Sequence, residues 1–458
     1  MRIAIVGAGP TGFFLAKSVL DQAGDDWRVD IFEKTPFPFG LVRFGVAPDH
    51  PKIKSVTKGF GKTLDDPRCH FWGGVTLAEQ GRSGTFGVED LLQHYDRVAL
   101  TVGSQDDRKL GIPFEEAKNS FSATRFVGWY NGHPEDGGLA PDLSVSRAAV
   151  VGAGNVAIDI VRLLISAPGR LSSTDISDTA LEALDASSIR EVDVLVRRGP
   201  WDVAFTNPEV KELLDFADVR YTFSPPLADF AEVPSYADRR ATSNMEVFRE
   251  LESRQVEKPR CVVNFHFLVS PRELRIDDAG RVTSIEIGHN LLESDETTSW
   301  VSDSGRSSTL PTGLFLRSVG YKGRPLAGVG YCTRKGVIPA DPQGRVFDSD
   351  AVHVPGLYVS GWMRRGPSGV IGTNKKDASD VAEAMLSDQR SGQRSSDSEF
   401  TGWHSRVVGP VAITKDDWSH LDQKEIALGQ PNGRPRRKFL SAAEVAEELA
   451  ARKSVSRG

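Results

Sequence analysis

Apolar positions along this chain gather in short unbroken runs, and most of these runs stop at a glycine. Ile3 to Val6 end at Gly7, Ala148 to Val151 at Gly152, Leu314 to Val319 at Gly320, and Gly356 to Val359 run on to Gly361 and Trp362. Runs of this length without polar alternation predict strands buried on both faces, as in parallel sheets covered by helices. Arg28 to Phe32, Glu191 to Val196 and Asp96 to Val102 read the same way, the last ending in the small-residue turn Gly103-Ser104. Helices are predicted behind the first two glycine stops, an apolar one after the Gly7 to Gly12 run as far as Leu20 and one over Ile158 to Ile165, and again up to about Leu386 and over about Ala442 to Ala451.

The first stop is Gly7-Ala8-Gly9-Pro10-Thr11-Gly12. Strand, glycine turn and helix in this order make a dinucleotide-binding βαβ unit: Gly7 allows the turn, Gly9 lets backbone approach a pyrophosphate, and Gly12 lets helix and strand pack closely. The pyrophosphate then meets free amides at the helix start. Glu33 follows Gly12 by 21 residues at the end of the second predicted strand. Its carboxylate can accept hydrogen bonds from ribose hydroxyls and would repel a 2′-phosphate. A glycine turn with no ligand is the alternative.

A second fingerprint, Gly152-Ala153-Gly154-Asn155-Val156-Ala157, begins 145 positions after the first, with Ala157 in place of the third glycine. Here the following strand ends in Arg197-Arg198-Gly199-Pro200, where the first unit has Glu33. Arginines there pair with a 2′-phosphate, so NADP(H) is the expected second nucleotide. A solvated arginine pair is the alternative.

Other stretches are less specific. Thr35 to Lys54 mixes prolines and glycines with aromatic and aliphatic residues, so it packs on something flat and apolar: a flavin ring or its own domain. Lys54, Lys58 and Lys62 recur at helical spacing, either as a solvated face or as a docking face for an acidic partner. Ser166 to Ser188 reads as a polar insertion, and Phe205 to Glu209 as a loop before a helix from Val210 that sets Glu209 and Glu212 one turn apart. Ala228 to Pro259 is charged and without a motif, and its Arg239, Arg240 and Arg249 face water or a partner. The return stretch Gly356 to Trp362 leads into Arg364 to Lys376, whose helix start offers amides to the polar edge of a ring or to an ordinary cap. Residues 387–398 are a Ser, Arg and Gln-rich linker, and the tail 433–438 with its helix caps the first domain.

With 458 residues there is room for two or three domains, and a net charge of −6 argues against nucleic acid as partner. No apolar run is long enough to span a membrane. Cys69, Cys261 and Cys332 are widely spaced, which leaves no disulfide framework, metal-ligand spacing or redox-active pair, and too few thiols for a built-in four-cysteine cluster. The expected compartment is the cytoplasm.

The stretches FPFGLVRFGVAPDHPKIK, FVGWYNGHPE, VVGAGNVAIDIVR, RRGP with FTNPE, and GWMRRGPSGVIGTNKKDA together resemble the adrenodoxin reductase type of ferredoxin-NADP reductase, including its FprA-like bacterial members. The resemblance implies an α/β fold with two Rossmann-like dinucleotide-binding domains, as in the glutathione reductase-like flavoproteins. An NADP domain over 106–321 is inserted into an FAD domain built from 1–105 and 322–458. It implies FAD contacts from Thr11, Glu33, Leu41, Leu77, Trp362, Gly369, Val370 and Ile371. NADP(H) contacts are implied from Arg108, Ala153, Gly154, Asn155, Val156, Arg197, Arg198, Glu209 and Gly369. His50, Asp159 and Glu212 resemble family positions that tune hydride transfer and proton balance. The implied reaction is hydride transfer from NADPH to FAD, then release of single electrons to an iron-sulfur ferredoxin. Two other readings compete: a flavin monooxygenase, which would need a pocket protecting a flavin-oxygen adduct that the sequence does not signal, and a non-catalytic NADP-binding sensor.

Overall fold

A computed structural model of the chain describes residues 1–78, 84–369, 371–389 and 395–455. The chain divides into two compact units, one made of Met1–Asp106, Asn131–Gly137 and Tyr321–Gly458, the other of Asp107–Tyr130 and Gly138–Gly320. The insertion read as 106–321 therefore contains a short segment, Asn131–Gly137, that packs with the first unit.

In the first unit, Arg2–Val6 is a central strand with parallel neighbours on both sides, Arg28–Glu33 and Arg97–Leu100. The six-stranded sheet continues in parallel to Cys69–Gly73 on one side and His353–Val359 on the other, and only the edge strand Arg345–Phe347 runs antiparallel. Ile3, Ala4 and Ile5 have no exposed surface, which is why their run shows no polar alternation. Helix Pro10–Leu20 and the return helix Ile371–Ser387 share one core, with Phe13, Leu15 and Val19 from the first and Ala378, Val381 and Met385 from the second. Burying each large apolar side chain there contributes roughly 1.5–3 kcal/mol.

The second unit repeats the plan. Arg147–Val151 lies between Glu191–Val196 and Leu314–Arg317, and all ladders of this six-stranded sheet are parallel. One face is covered by a three-stranded antiparallel sheet of Val269–Ile276, Val282–Ser294 and Ser299–Pro311, whose Leu274, Ile285 and Ile287 pack with Ala149, Leu195 and Phe315. In both parallel sheets the chain reverses its direction of crossing beside the fingerprint strand, the position at which α/β folds open a ligand crevice.

Several local expectations change. The lysine face is split between two short helices, Pro51–Lys54 and Thr57–Leu64, and Lys54 turns inward to donate to Asn131 Oδ1 at 3.3 Å. The insertion 166–188 contains a helix, Asp178–Asp185, capped by Ser177 Oγ. The motif-free stretch holds the helix Arg239–Ser253, capped by Asp238, which buries Ala241, Met245, Phe248 and Leu251 and leaves Arg239, Arg240 and Arg249 exposed. The linker read at 387–398 is narrower than expected, since one helix ends at Ser387 and the next begins at Asp397. Among the described residues no helix is long and apolar enough to cross a membrane.

Candidate functional site

Each fingerprint forms a turn of the same construction. Gly7 has φ +112°, and a Cβ there would lie 2.6 Å from the Thr101 carbonyl oxygen on the neighbouring strand's exit. Thr101 locks this approach by donating from Oγ1 to the carbonyls of Val6 and Gly7 at 3.0 and 2.8 Å. A Cβ on Gly12 would overlap the Gly7 carbonyl oxygen. Gly9 is different: it is the N-cap of helix Pro10–Leu20, no side chain caps that helix, and a Cβ there would meet nothing within 4 Å. The outer glycines are thus required for packing, while the middle one borders open space next to free amides, which fits a pyrophosphate.

Glu33 braces this turn. Its carboxylate accepts from the Ala8 amide at 3.0 Å, the Thr35 amide at 3.1 Å and Thr35 Oγ1 at 3.3 Å. Burial pushes its pKa up, against the opposing pull of the Thr35 and Ala8 amides and the Lys34 charge. A carboxylate has lone pairs beyond these, so it can also accept from ribose hydroxyls. The aromatic stretch packs on the same turn: the Phe39 amide donates to Ala8 O at 2.7 Å, and a Cβ on Gly40 would lie 3.0 Å from Gly9 Cα. Leu41 follows at 37% exposure, starting the short helix Leu41–Phe44. His50 is half-buried at the N-cap of Pro51–Lys54. Leu77 pairs with Phe86 in a two-residue parallel ladder and packs on the apolar cluster that holds Phe32.

The return segment meets the turn at Thr11, where a Cβ on Gly361 would lie 2.5 Å from Thr11 Oγ1. Asp377, only 3% exposed, organises this segment. It accepts from Ser360 Oγ at 2.7 Å, from Arg364 Nε at 3.0 Å and from the Gly361 amide, and it pairs with Arg365 at 3.3 Å. Trp362 packs against Tyr321 with ring centroids 5.6 Å apart and planes tilted by 33°, and its buried Nε1 has no hydrogen-bond partner among the described residues. A bound acceptor would satisfy that donor. Gly369 has φ +85°, and Ile371 opens the helix to Ser387. Val370 lies outside the described residues.

In the second unit Gly152 has φ +135°, and a Cβ there would overlap the Ser318 carbonyl oxygen. Gly154, like Gly9, caps a helix without a side-chain bond and borders space empty to 4 Å, and Ala157 is fully buried. Asn155 Oδ1 accepts from the Thr206 amide at 2.8 Å, and the amides of Ala204 and Phe205 donate to Ala153 O at 2.7 and 3.0 Å. The Phe205–Glu209 loop is therefore fastened to the turn beside half-buried Val156, with Glu209 in the first turn of helix Asn207–Lys211. Arg197 is exposed at the end of its strand and makes no ion pair among the described residues, whereas Arg198 lies 3.6 Å from Asp202. Arg108 is exposed, and its amide donates to Gly320 O at 2.9 Å. Asp159 and Glu212 converge on one buried cation, Arg162, at 2.9 and 2.7 Å.

No protein-family model matches the chain. It is 41% identical over 463 residues to the Mycobacterium tuberculosis NADPH-ferredoxin reductase FprA, across 97% of this chain and 98% of the relative. It is 39% identical over 463 residues to the mitochondrial NADPH:adrenodoxin oxidoreductase of Bos taurus, across 97% of this chain and 91% of the relative. The chain belongs to this ferredoxin and adrenodoxin reductase family. A solved structure of M. tuberculosis FprA in complex with NADPH superposes with a TM-score of 0.90 at 40% identity, covering 98% of this chain and 99% of that one.

In this family member, sequence reasoning missed the residues that hold the others in place. Thr101 and Ser318 meet the glycine turns from distant strands, and Asp377 and Arg162 reach Ser360 and Glu212 on other elements, so no periodicity or motif marks these contacts in advance. One trace was available: Arg162 lies three residues after Asp159, one helical turn away.

Proposed function

We propose that this reductase carries FAD on its first unit and NADP(H) on its second, and works as a ferredoxin-NADP(+) reductase. One contrast carries the assignment of the two nucleotides. The first glycine turn is backed by the Glu33 carboxylate and the second is followed by Arg197 and Arg198, so only the second suits a 2′-phosphate. The relatives' activities, NADPH-ferredoxin reductase and NADPH:adrenodoxin oxidoreductase, support the reaction and the iron-sulfur partner.

FAD, when bound, supplies the step from a two-electron hydride donor to a one-electron iron-sulfur acceptor. The chain's residues bind and orient. Uncapped amides beyond Gly9 and Gly154 hold the two pyrophosphates, and Glu33 accepts from the flavin cofactor's adenosine ribose. Thr11, Leu41, Leu77, Trp362 and the segment 369–371 complete the FAD contacts. Arg108, Asn155, Glu209 and the arginine pair complete those to NADP(H). His50, Asp159 and Glu212 tune hydride transfer and proton balance, with Arg162 fixing the two carboxylates. Hydride transfer needs no obligatory protein acid, so His50→Ala slows reduction by NADPH without abolishing it. A cytoplasmic setting belongs to the same proposal and is supported by the buried free thiols of Cys69 and Cys261, which suit a reducing compartment.

Anaerobic mixing of the flavin-loaded protein with NADPH and a ferredoxin tests the reading. Bleaching of flavin absorbance followed by iron-sulfur reduction is expected. NADPH-dependent oxygenation of a small molecule, with no transfer to any ferredoxin, would overturn it.

A further inference from the structure

Arg198 is supported from behind by Asp202, one helical turn away in sequence, and by Ser299, a hundred and one residues away. Its Nη1 lies 3.6 Å from Asp202 Oδ1 and donates to Ser299 Oγ at 3.4 Å. Ser299 Oγ in turn donates to Asp202 Oδ1, and the Tyr236 hydroxyl donates to Asp202 Oδ2 at 3.4 Å. The Asp202 side chain is 4% exposed and that of Arg198 38%, so the carboxylate sits inside and the guanidinium reaches outward. Ser299 opens the last strand of the antiparallel sheet, Ser299–Pro311. The partner strand Val282–Ser294 holds the backbone of the same pair: Asn290 Nδ2 donates to Arg197 O at 2.9 Å, and the Asn290 amide donates to Leu268 O at 2.7 Å. The Leu268 amide donates to Arg198 O at 3.2 Å. Neither strand belongs to the dinucleotide fold proper, yet together they fix both arginines.

A carboxylate beside a phosphate-binding arginine either repels the phosphate or aims the arginine. Here the carboxylate and the serine engage Nη1 alone, from the buried side. A guanidinium carries five N–H donors in a rigid fork, so Nε and Nη2 stay available on the outward side. Arg197, exposed and unpaired among the described residues, supplies a second full charge.

We propose that Asp202 and Ser299 are positioning residues for Arg198, and that this support from the antiparallel hairpin sets the preference for NADPH over NADH. The inference rests on the reading of Arg197 and Arg198 as the partners of a 2′-phosphate.

The test uses the intact flavoprotein and compares kcat/KM for NADPH and for NADH with a one-electron dye as acceptor, alongside inhibition by 2′,5′-ADP. Asp202→Ala and Ser299→Ala are each expected to lower kcat/KM for NADPH about tenfold through KM, as expected for losing one hydrogen-bonded support of a charged group. The same variants leave kcat and the NADH values unchanged and weaken 2′,5′-ADP to the same extent. Asp202→Asn keeps the shape and recovers most of the loss. A selective wild type whose Asp202→Ala and Ser299→Ala variants keep that selectivity, or bind NADPH more tightly, overturns the inference and leaves the phosphate reading standing. A wild type that uses NADH as well as NADPH overturns the phosphate reading, and the inference with it. If Asp202→Ala fails to fold, Ser299→Ala decides alone.

Discussion

Arg162 and Glu212 form an ion pair at 2.7 Å in which the guanidinium is 2% exposed and the carboxylate 37%. The same Nη1 holds Asp159 at 2.9 Å, so one buried cation serves two acids from different helical segments. Removing the cation takes the same buried partner from both acids, whereas removing Glu212 leaves Arg162 its pair with Asp159. Arg162→Met is expected to cost about 3–5 kcal/mol and Glu212→Gln less than about 1 kcal/mol. Thermal melting of both variants measures the difference, and equal melting temperatures would show that the two acids do not depend on Arg162.

The two neighbouring glycines of the first turn should fail in opposite ways. At Gly9, φ is −83° and the space for a side chain is empty, so Gly9→Val folds normally and intrudes only on a ligand. At Gly7 the backbone is left-handed and the Thr101 carbonyl blocks a Cβ, so Gly7→Ala destabilises the fold by more than about 1 kcal/mol. The melting temperature of the apoprotein and the flavin content after purification separate the two outcomes. A Gly9→Val protein that keeps its full complement of FAD would contradict the placement of the pyrophosphate.

Glu33 offers a sharper test of ribose recognition. Glu33→Gln keeps an acceptor for the Ala8 amide, now at 3.0 Å from the carboxylate, but loses the charge. Hydrogen bonds to charged groups contribute roughly 1.5–3 kcal/mol, so FAD affinity should fall by about ten- to a hundredfold. Flavin fluorescence on release reports it directly, and an unchanged affinity would count against a ribose role.

Acid sensitivity should trace to Glu425. Its carboxylate is wholly buried and accepts from Arg43 at 2.5 and 3.0 Å, from Arg436 at 3.0 Å and from the Phe439 amide at 3.0 Å. Burial by itself would push its pKa up, but Arg43 foremost, then Arg436 and the Phe439 amide, hold it below the usual value of 4.5. A depressed carboxyl contributes its full stability above the unfolded value and loses it as pH falls through the folded one. The stabilisation is therefore present at neutral pH and disappears progressively below the ordinary glutamate range. Glu425→Gln should melt lower at neutral pH and lose less on acidification. Melting curves of wild type and variant that stay parallel down to about pH 3 would exclude this account.

Both fingerprints were legible because their signals are local. An apolar run, a glycine turn and an amphipathic helix lie within one short stretch, and the steric needs of Gly7, Gly12 and Gly152 arise from backbone that packs at once. The acid after one turn and the arginines after the other were equally readable, since each sits at a defined strand end. The antiparallel sheet was not. Ser299–Pro311 is an exposed edge strand with few apolar positions, so it carries no periodic signal. Asp377 beneath the return segment, Arg162 between two acids and Asp202 behind Arg198 are likewise polar residues in ordinary-looking sequence.

The sequence by itself determined the two strand-turn-helix units and the contrast between the acid that follows one and the arginine pair that follows the other, because these features are neighbours along the chain. Only the tertiary structure decided what holds the binding groups in their directions. Those supports, Asp377, Arg162 and Asp202, are buried polar side chains that gain their strength from exclusion of water, which no local pattern records.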